Sequence, residues 1–192
     1  MLSASEISRG TRGALKFLQR DRAAPSYFDN NFEACLRSFR VMVLAAPLFG
    51  LYLVLHYSAL TTQADEFEVV LVEALRYVVD WLLFPVIFYE IARRRGWLDR
   101  YPRYIAALNW INLPAVALMV VGKAIFLVAP QIGQVSELLL QALFFYWFLT
   151  TTRMLLAVSW PVALLLLVVN WVPSLFLSLI VDRFLGVLPL GA

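Results

Sequence analysis

The chain of 192 residues is 62% hydrophobic and only 15% charged, against about 45–50% apolar and about 25% charged residues in soluble domains, which excludes an ordinary water-soluble domain. Its formal net charge of +3 comes from basic residues gathered in a few short segments, so it is not a nucleic-acid footprint. A single cysteine, Cys35, and a single histidine, His56, exclude an internal disulfide, a cysteine-based metal site and a histidine cluster.

The first 38 residues form an N-terminal segment set apart from the apolar remainder. In SASEISRGTRGALKFLQRDR, Ser5 is a candidate helix cap, and Ile7, Ala14, Leu15 and Leu18 share one face. Arg9, Arg12, Lys16, Arg20 and Arg22 surround that face. This is either a basic amphipathic helix lying on an anionic leaflet or a frayed basic tail, because Gly10 and Gly13 weaken a helix. Ala23-Ala24-Pro25 then breaks the pattern. Ser26 followed by Asp29 resembles a capping box, with Asp in place of Glu. Phe28, Phe32, Leu36 and Phe39 recur at helical spacing after it, which predicts an interfacial helix running into the first span. Cys35 lies on or near that apolar face, where it fills space rather than reacts.

Five spans follow in residues 39–183: Phe39–Leu60, Val69–Glu90, Tyr104–Val128, Ser136–Leu155 and Val158–Val181. Each is close to the roughly 20 residues that cross a hydrocarbon core. The connector TTQADEFE is acidic, IARRRGWLDRYPR is basic and APQIGQV is uncharged. Pro47, Pro85, Pro114, Pro161 and Pro173 place a proline in four of the five spans, and each frees a carbonyl that neighbours or water must satisfy. Residues 184–192 form a short tail. The first long apolar run begins near Phe39, too far in for the apolar part of a cleaved signal peptide.

Basic residues in short loops set orientation. With five spans, thirteen of the 16 Lys and Arg lie on one side: before the first span, in the second-to-third loop and at Arg153. This predicts a cytoplasmic N-terminus and an extracytoplasmic C-terminus in a cell membrane, of the bacterial inner-membrane kind. Trp81, Trp97, Trp110, Trp147, Trp160 and Trp171 include interface anchors, foremost Trp97 and Trp160.

The second span carries Glu73, Arg76 and Asp80 on one helix face. A charge near the bilayer centre costs at least about 2.5–3.5 kcal/mol, so these three need partners or water. Glu73, Arg76, Asp80, His56 and Lys123 lie roughly 6 to 16 Å below the outer end of their spans at the helical rise. Glu137, Gln141 and Asn170 fall in the same outer half. The expectation is one buried polar network of these eight residues, with Asp80 or Glu73 meeting Lys123 and His56 close by. Such a layer either fixes helix register or forms a proton or solute pathway. A third alternative has Lys123 snorkelling outward. Asn109 and Asn112 are expected to make interhelical hydrogen bonds.

No Walker loop, dinucleotide-binding glycine pattern, Gly-x-Ser-x-Gly or His-Glu-x-x-His motif is present, so neither a catalytic centre, a cofactor nor a metal is assigned. The plan resembles the Yip1-like family of small membrane proteins. The shared features are a cytoplasmic N-terminal segment, a Pro-x-x-Phe-like element at Pro25 to Phe28, five closely spaced spans and prolines within them. Eukaryotic members bind small GTPases and act in vesicle traffic, and their long acidic cytosolic N-terminus has no counterpart in this sequence; bacterial-type members look like integral inner-membrane proteins. The expectation is therefore an all-α polytopic bundle without enzymatic activity. Its partners are the lipid bilayer and either a second copy or another membrane complex, and no small-molecule ligand is assigned. The alternative is a small transporter or channel that uses the charged layer. A sealed network belongs to the first reading and a water-accessible cavity to the second. A membrane enzyme acting on lipid is the weakest, since no motif joins its lone Ser, His and Asp residues.

Overall fold

The computed structural model describes residues 2–189. It is all-helical apart from one small ribbon. Helix α1 (Ala4–Leu18) starts from Ser3, whose hydroxyl accepts from the Glu6 amide while the Glu6 carboxylate accepts from the Ser3 amide. This capping box places the helix start two residues before the expected Ser5 cap. A short 3-10 helix, Ala24–Tyr27, follows. Ser26 does not cap a longer helix: its hydroxyl donates to the Ala23 carbonyl, and Asp29 pairs with Arg9 at 2.9 Å. Asn31 supplies the real cap, accepting from the Ala34 amide at the start of α2 (Phe32–Ser38).

Helix α3 (Arg40–Tyr57) continues α2 almost without interruption. After it come α4 (Glu66–Arg95), α5 (Tyr101–Val128), α6 (Pro130–Leu156) and α7 (Trp160–Leu185). Four runs are long and apolar enough to cross a membrane: Phe32–Tyr57, Tyr101–Val128, Pro130–Leu156 and Trp160–Leu185. The architecture is that of an all-helical, multi-pass membrane protein. Helix α4 has 30 residues, about 45 Å at the usual rise, but its ionisable residues set it apart from these four. It runs well past the expected Val69–Glu90, from an Asp65 cap to Gly96. Gly96 takes the left-handed conformation (φ 69°) that ends the helix, which a side chain would strain. The uncharged APQIGQV segment is mostly the first turns of α6. Pro130 sits at the helix start, where its missing N–H costs nothing.

The two ends of the bundle are distinct. The upper end holds the close of α3, the start of α4 and the close of α7. Strand β1 (Leu60–Thr61) pairs antiparallel with β2 (Leu188–Pro189) there, and the Gln63 amide donates to the Leu185 carbonyl. Of the expected tail 184–192, residues 190–192 lie outside the described residues. The lower end holds Arg93–Arg95, the start of α5 and the close of α6.

Helix α5 is the hub, packing on α3 and α6 and receiving α1 and α2, while α4 packs chiefly on α7. Helix α1 is neither frayed nor free of the bundle. A Cβ on Gly10 would lie 2.2 Å from Trp110, so only glycine allows this approach. The Trp147 indole N–H donates to the Ala14 carbonyl at 2.8 Å. Ala14 and Phe17 are fully buried in the core with Trp110 and Trp147. The outward face of α1 keeps Arg9, Arg12, Gln19 and Arg20 exposed. A second, aromatic core fills the lower half: Phe84, Phe88, Tyr104 and Phe148 pack with Leu156 and Leu166.

Candidate functional site

The charged face of α4 points into the protein and its apolar face points out. Glu73 is 2% exposed, whereas Val70, Leu71, Leu75 and Val86 are each more than half exposed. Ionised inside and apolar outside is the arrangement that lipid favours and water does not.

Glu73 is fully partnered. The Tyr57 hydroxyl donates to its Oε1 at 2.7 Å, and Arg76 Nε donates to its Oε2 at 2.7 Å. The pair therefore ties α3 to α4. Arg76 also reaches Asp80 Oδ2 at 3.5 Å and lies 5.7 Å from the Phe49 ring. Among the described residues the other Asp80 oxygen, Oδ1, is buried without a close hydrogen-bond partner, with Ser174 the neighbouring hydroxyl, and Nδ1 of His56 is likewise buried and unpaired. His56 stacks on Tyr52 at 5.6 Å and meets Tyr57 edge-on at 5.3 Å.

Lys123 does not meet Glu73 or Asp80. It pairs with Glu137 at 3.1 Å and lies over the Phe126 ring. The reason is local: Arg76 reaches an acid three residues before it and another four residues after it on its own helix, while the tight α5–α6 hairpin brings Glu137 to Lys123. The expected single buried layer is thus two clusters, and Glu137 is not buried, being 43% exposed at its side chain.

Between α3, α4, α5 and α7 lies a cavity of about 420 Å³. His56, Glu73, Arg76 and Asp80 line one side of it, and Asn170, Ser174, Ser178 and Asp182 line the other. The last four recur at every fourth residue of α7 and form a polar stripe along one face. Sequence reasoning found only Asn170. The two serines are masked by their apolar neighbours in SLFLSLIVD, yet the four-residue period was there to be read. Three carboxylates (Glu73, Asp80, Asp182) face one guanidinium in this cavity, so its charge balance is negative. A polar space of this size has room for water.

A second cavity of about 260 Å³ lies below, among α4, α5, α6 and α7. Gln141 lines this one alone; Asn170 and Asn112 line both. Asn109 donates to Ser38 Oγ at 2.9 Å, joining α5 to α2 as expected of an interhelical bond. Asn112 does not join helices: it is exposed toward the two cavities. Among the described residues no group of three or more His, Cys, Asp or Glu is placed to hold a metal ion.

Comparison with known proteins gives no matching family model, no matching curated protein and no matching solved structure.

Proposed function

We propose that the protein is a five-span integral membrane protein whose upper half binds a small cationic solute in a water-filled cleft, as a transporter or channel does. The carrying observation is the cavity of about 420 Å³ with three carboxylates against one arginine. A network that only fixed helix register would have its ionisable groups packed against one another. Here Glu73 is packed in that way, while the Asp80 side chain is 26% exposed, lines the cavity and stands 3.5 Å from Arg76. We assign Glu73, Arg76 and Tyr57 to scaffolding and Asp80 and Asp182 to the solute.

The inside-out face of α4 supports its being the fifth span. The basic lower end, with Arg93, Arg94 and Arg95, supports a cytoplasmic N-terminus and a cleft that opens outside the cell. The plan-level likeness to Yip1-like proteins belongs to the same proposal. Self-association is the second reading, and it draws on the apolar faces that α4 and α7 expose.

The test is thiol labelling from outside intact cells. On a Cys35→Ala background, Ser178→Cys should react with impermeant methanethiosulfonates. After correction for intrinsic reactivity, the trimethylammonium reagent should be favoured over the sulfonate by about tenfold, as a negatively charged cleft focuses cations. Asp80→Asn should lower that ratio. An unreactive Ser178→Cys, or a preference for the sulfonate, would overturn the proposal.

A further inference from the structure

The two cavities are neighbours. Asp80, Trp81, Asn112, Val116, Met119 and Asn170 line both, so the polar chamber above and the chamber below share one wall. The lower chamber differs in chemistry. Its wall carries Trp81, Phe84, Phe144, Phe145, Phe148 and Trp171, with Phe145 and Trp171 edge-to-face at 5.5 Å. Aromatic faces attract cations and apolar bodies alike. Asp80, 26% exposed at its side chain, stands on the wall common to both chambers, where both kinds of lining come within reach.

We infer that the two chambers form one bipartite site for an amphipathic organic cation, with its ammonium at Asp80 and its apolar or aromatic body among the lower aromatic rings. This rests on the proposed cation-binding cleft and names the class of its solute. Three carboxylates that share one arginine along a cavity favour a positive group there. An inorganic ion would leave the aromatic chamber, about 260 Å³, without a use. A neutral apolar molecule would leave Asp80 unanswered. A zwitterionic phospholipid would bring its phosphate toward Glu73 and Asp182, which disfavours it as the occupant. Together the chambers reach the size range of small-molecule sites, roughly 300–1,000 Å³.

The experiment uses the full chain in phosphatidylcholine nanodiscs and isothermal titration with three probes: tetramethylammonium, benzyltrimethylammonium and benzylsulfonate. Benzyltrimethylammonium should bind about tenfold more tightly than tetramethylammonium, the gain that a desolvated aromatic contact supplies. Benzylsulfonate should not bind. Asp80→Asn should weaken both cations. Phe144→Leu should remove the advantage of the benzyl group, with an unchanged circular dichroism spectrum reporting that this variant is folded. Equal affinity for the two cations would overturn the bipartite site and leave the cleft standing. Binding of neither cation would overturn both, and tight benzylsulfonate binding would reverse the assigned charge.

Discussion

The two halves of this bundle are built from different materials. Below, rings of Phe84, Phe88, Tyr101 and Tyr104 pack at centroid distances of 4.8 to 6.1 Å, and the Tyr104 hydroxyl is paired with Thr152 at 2.8 Å. Above, α3, α4, α5 and α7 frame a cavity whose walls carry serines, asparagines and acids. Close packing below, with the Tyr57–Glu73 bond and the β1–β2 ribbon above, holds the helices around that cavity.

That contrast can be broken by substitution. The largest effect is expected from Phe88→Ala in the lower core, where the side chain is fully buried. The loss should be about 3–5 kcal/mol, measured by reversible unfolding in lipid or micelles. Met119→Ala, facing both cavities, should cost about 2 kcal/mol, the low end for a methionine, since removing a side chain beside an existing void makes little new cavity. Equal losses would erase the distinction between the halves.

A double-mutant cycle sharpens the upper half. Asp80→Asn combined with Arg76→Gln should show a coupling of about 0.5–3 kcal/mol, as groups sharing an ion pair do. Asp80→Asn combined with Lys123→Met should be additive within about 0.5 kcal/mol, because Lys123 is held by Glu137. A strong Asp80–Lys123 coupling would restore the single charged layer that sequence alone suggested.

The smallest effect concerns α1. Hydrogen bonds from the Ser3 backbone and side chain, with Arg37 nearby, hold the Glu6 carboxyl below its ordinary value. A carboxylate lowered in the folded state contributes stability above its unfolded pKa, and that contribution is lost as pH falls through the folded pKa. Protection of the first-turn amides of α1, taken against the intrinsic exchange rate at each pH, should therefore fall below about pH 4.5, the ordinary glutamate value from which Glu6 is lowered. Glu6→Gln should remove this pH dependence. Protection that is flat through the acid range would show that the capping box does not hold the helix start.

How much of this was legible in the sequence depended on the range of the signal. The apolar runs and their punctuation gave the all-helical bundle, and the i, i+3, i+7 spacing gave the Glu73–Arg76–Asp80 cluster, because both are local. The Lys123 partner was misread because two helices can present acids at a similar depth, and depth does not say which faces meet. The α7 stripe was hidden for another reason: serine is small and only weakly polar on any scale, so Ser174 and Ser178 vanish into a strongly apolar average. The seat of α1 needed tertiary knowledge, since a glycine that weakens an isolated helix is the residue that admits Trp110.

The bond from Trp147 to the Ala14 carbonyl spans 133 residues of chain. During synthesis, therefore, α1 has no finished berth when it is made. Gly10 finds its wall only when α5 has been made, and Ala14 only when α6 has followed. The entropic cost of closing so long a loop grows only slowly with its length, so the wait adds little to the cost of seating α1 once its partners stand.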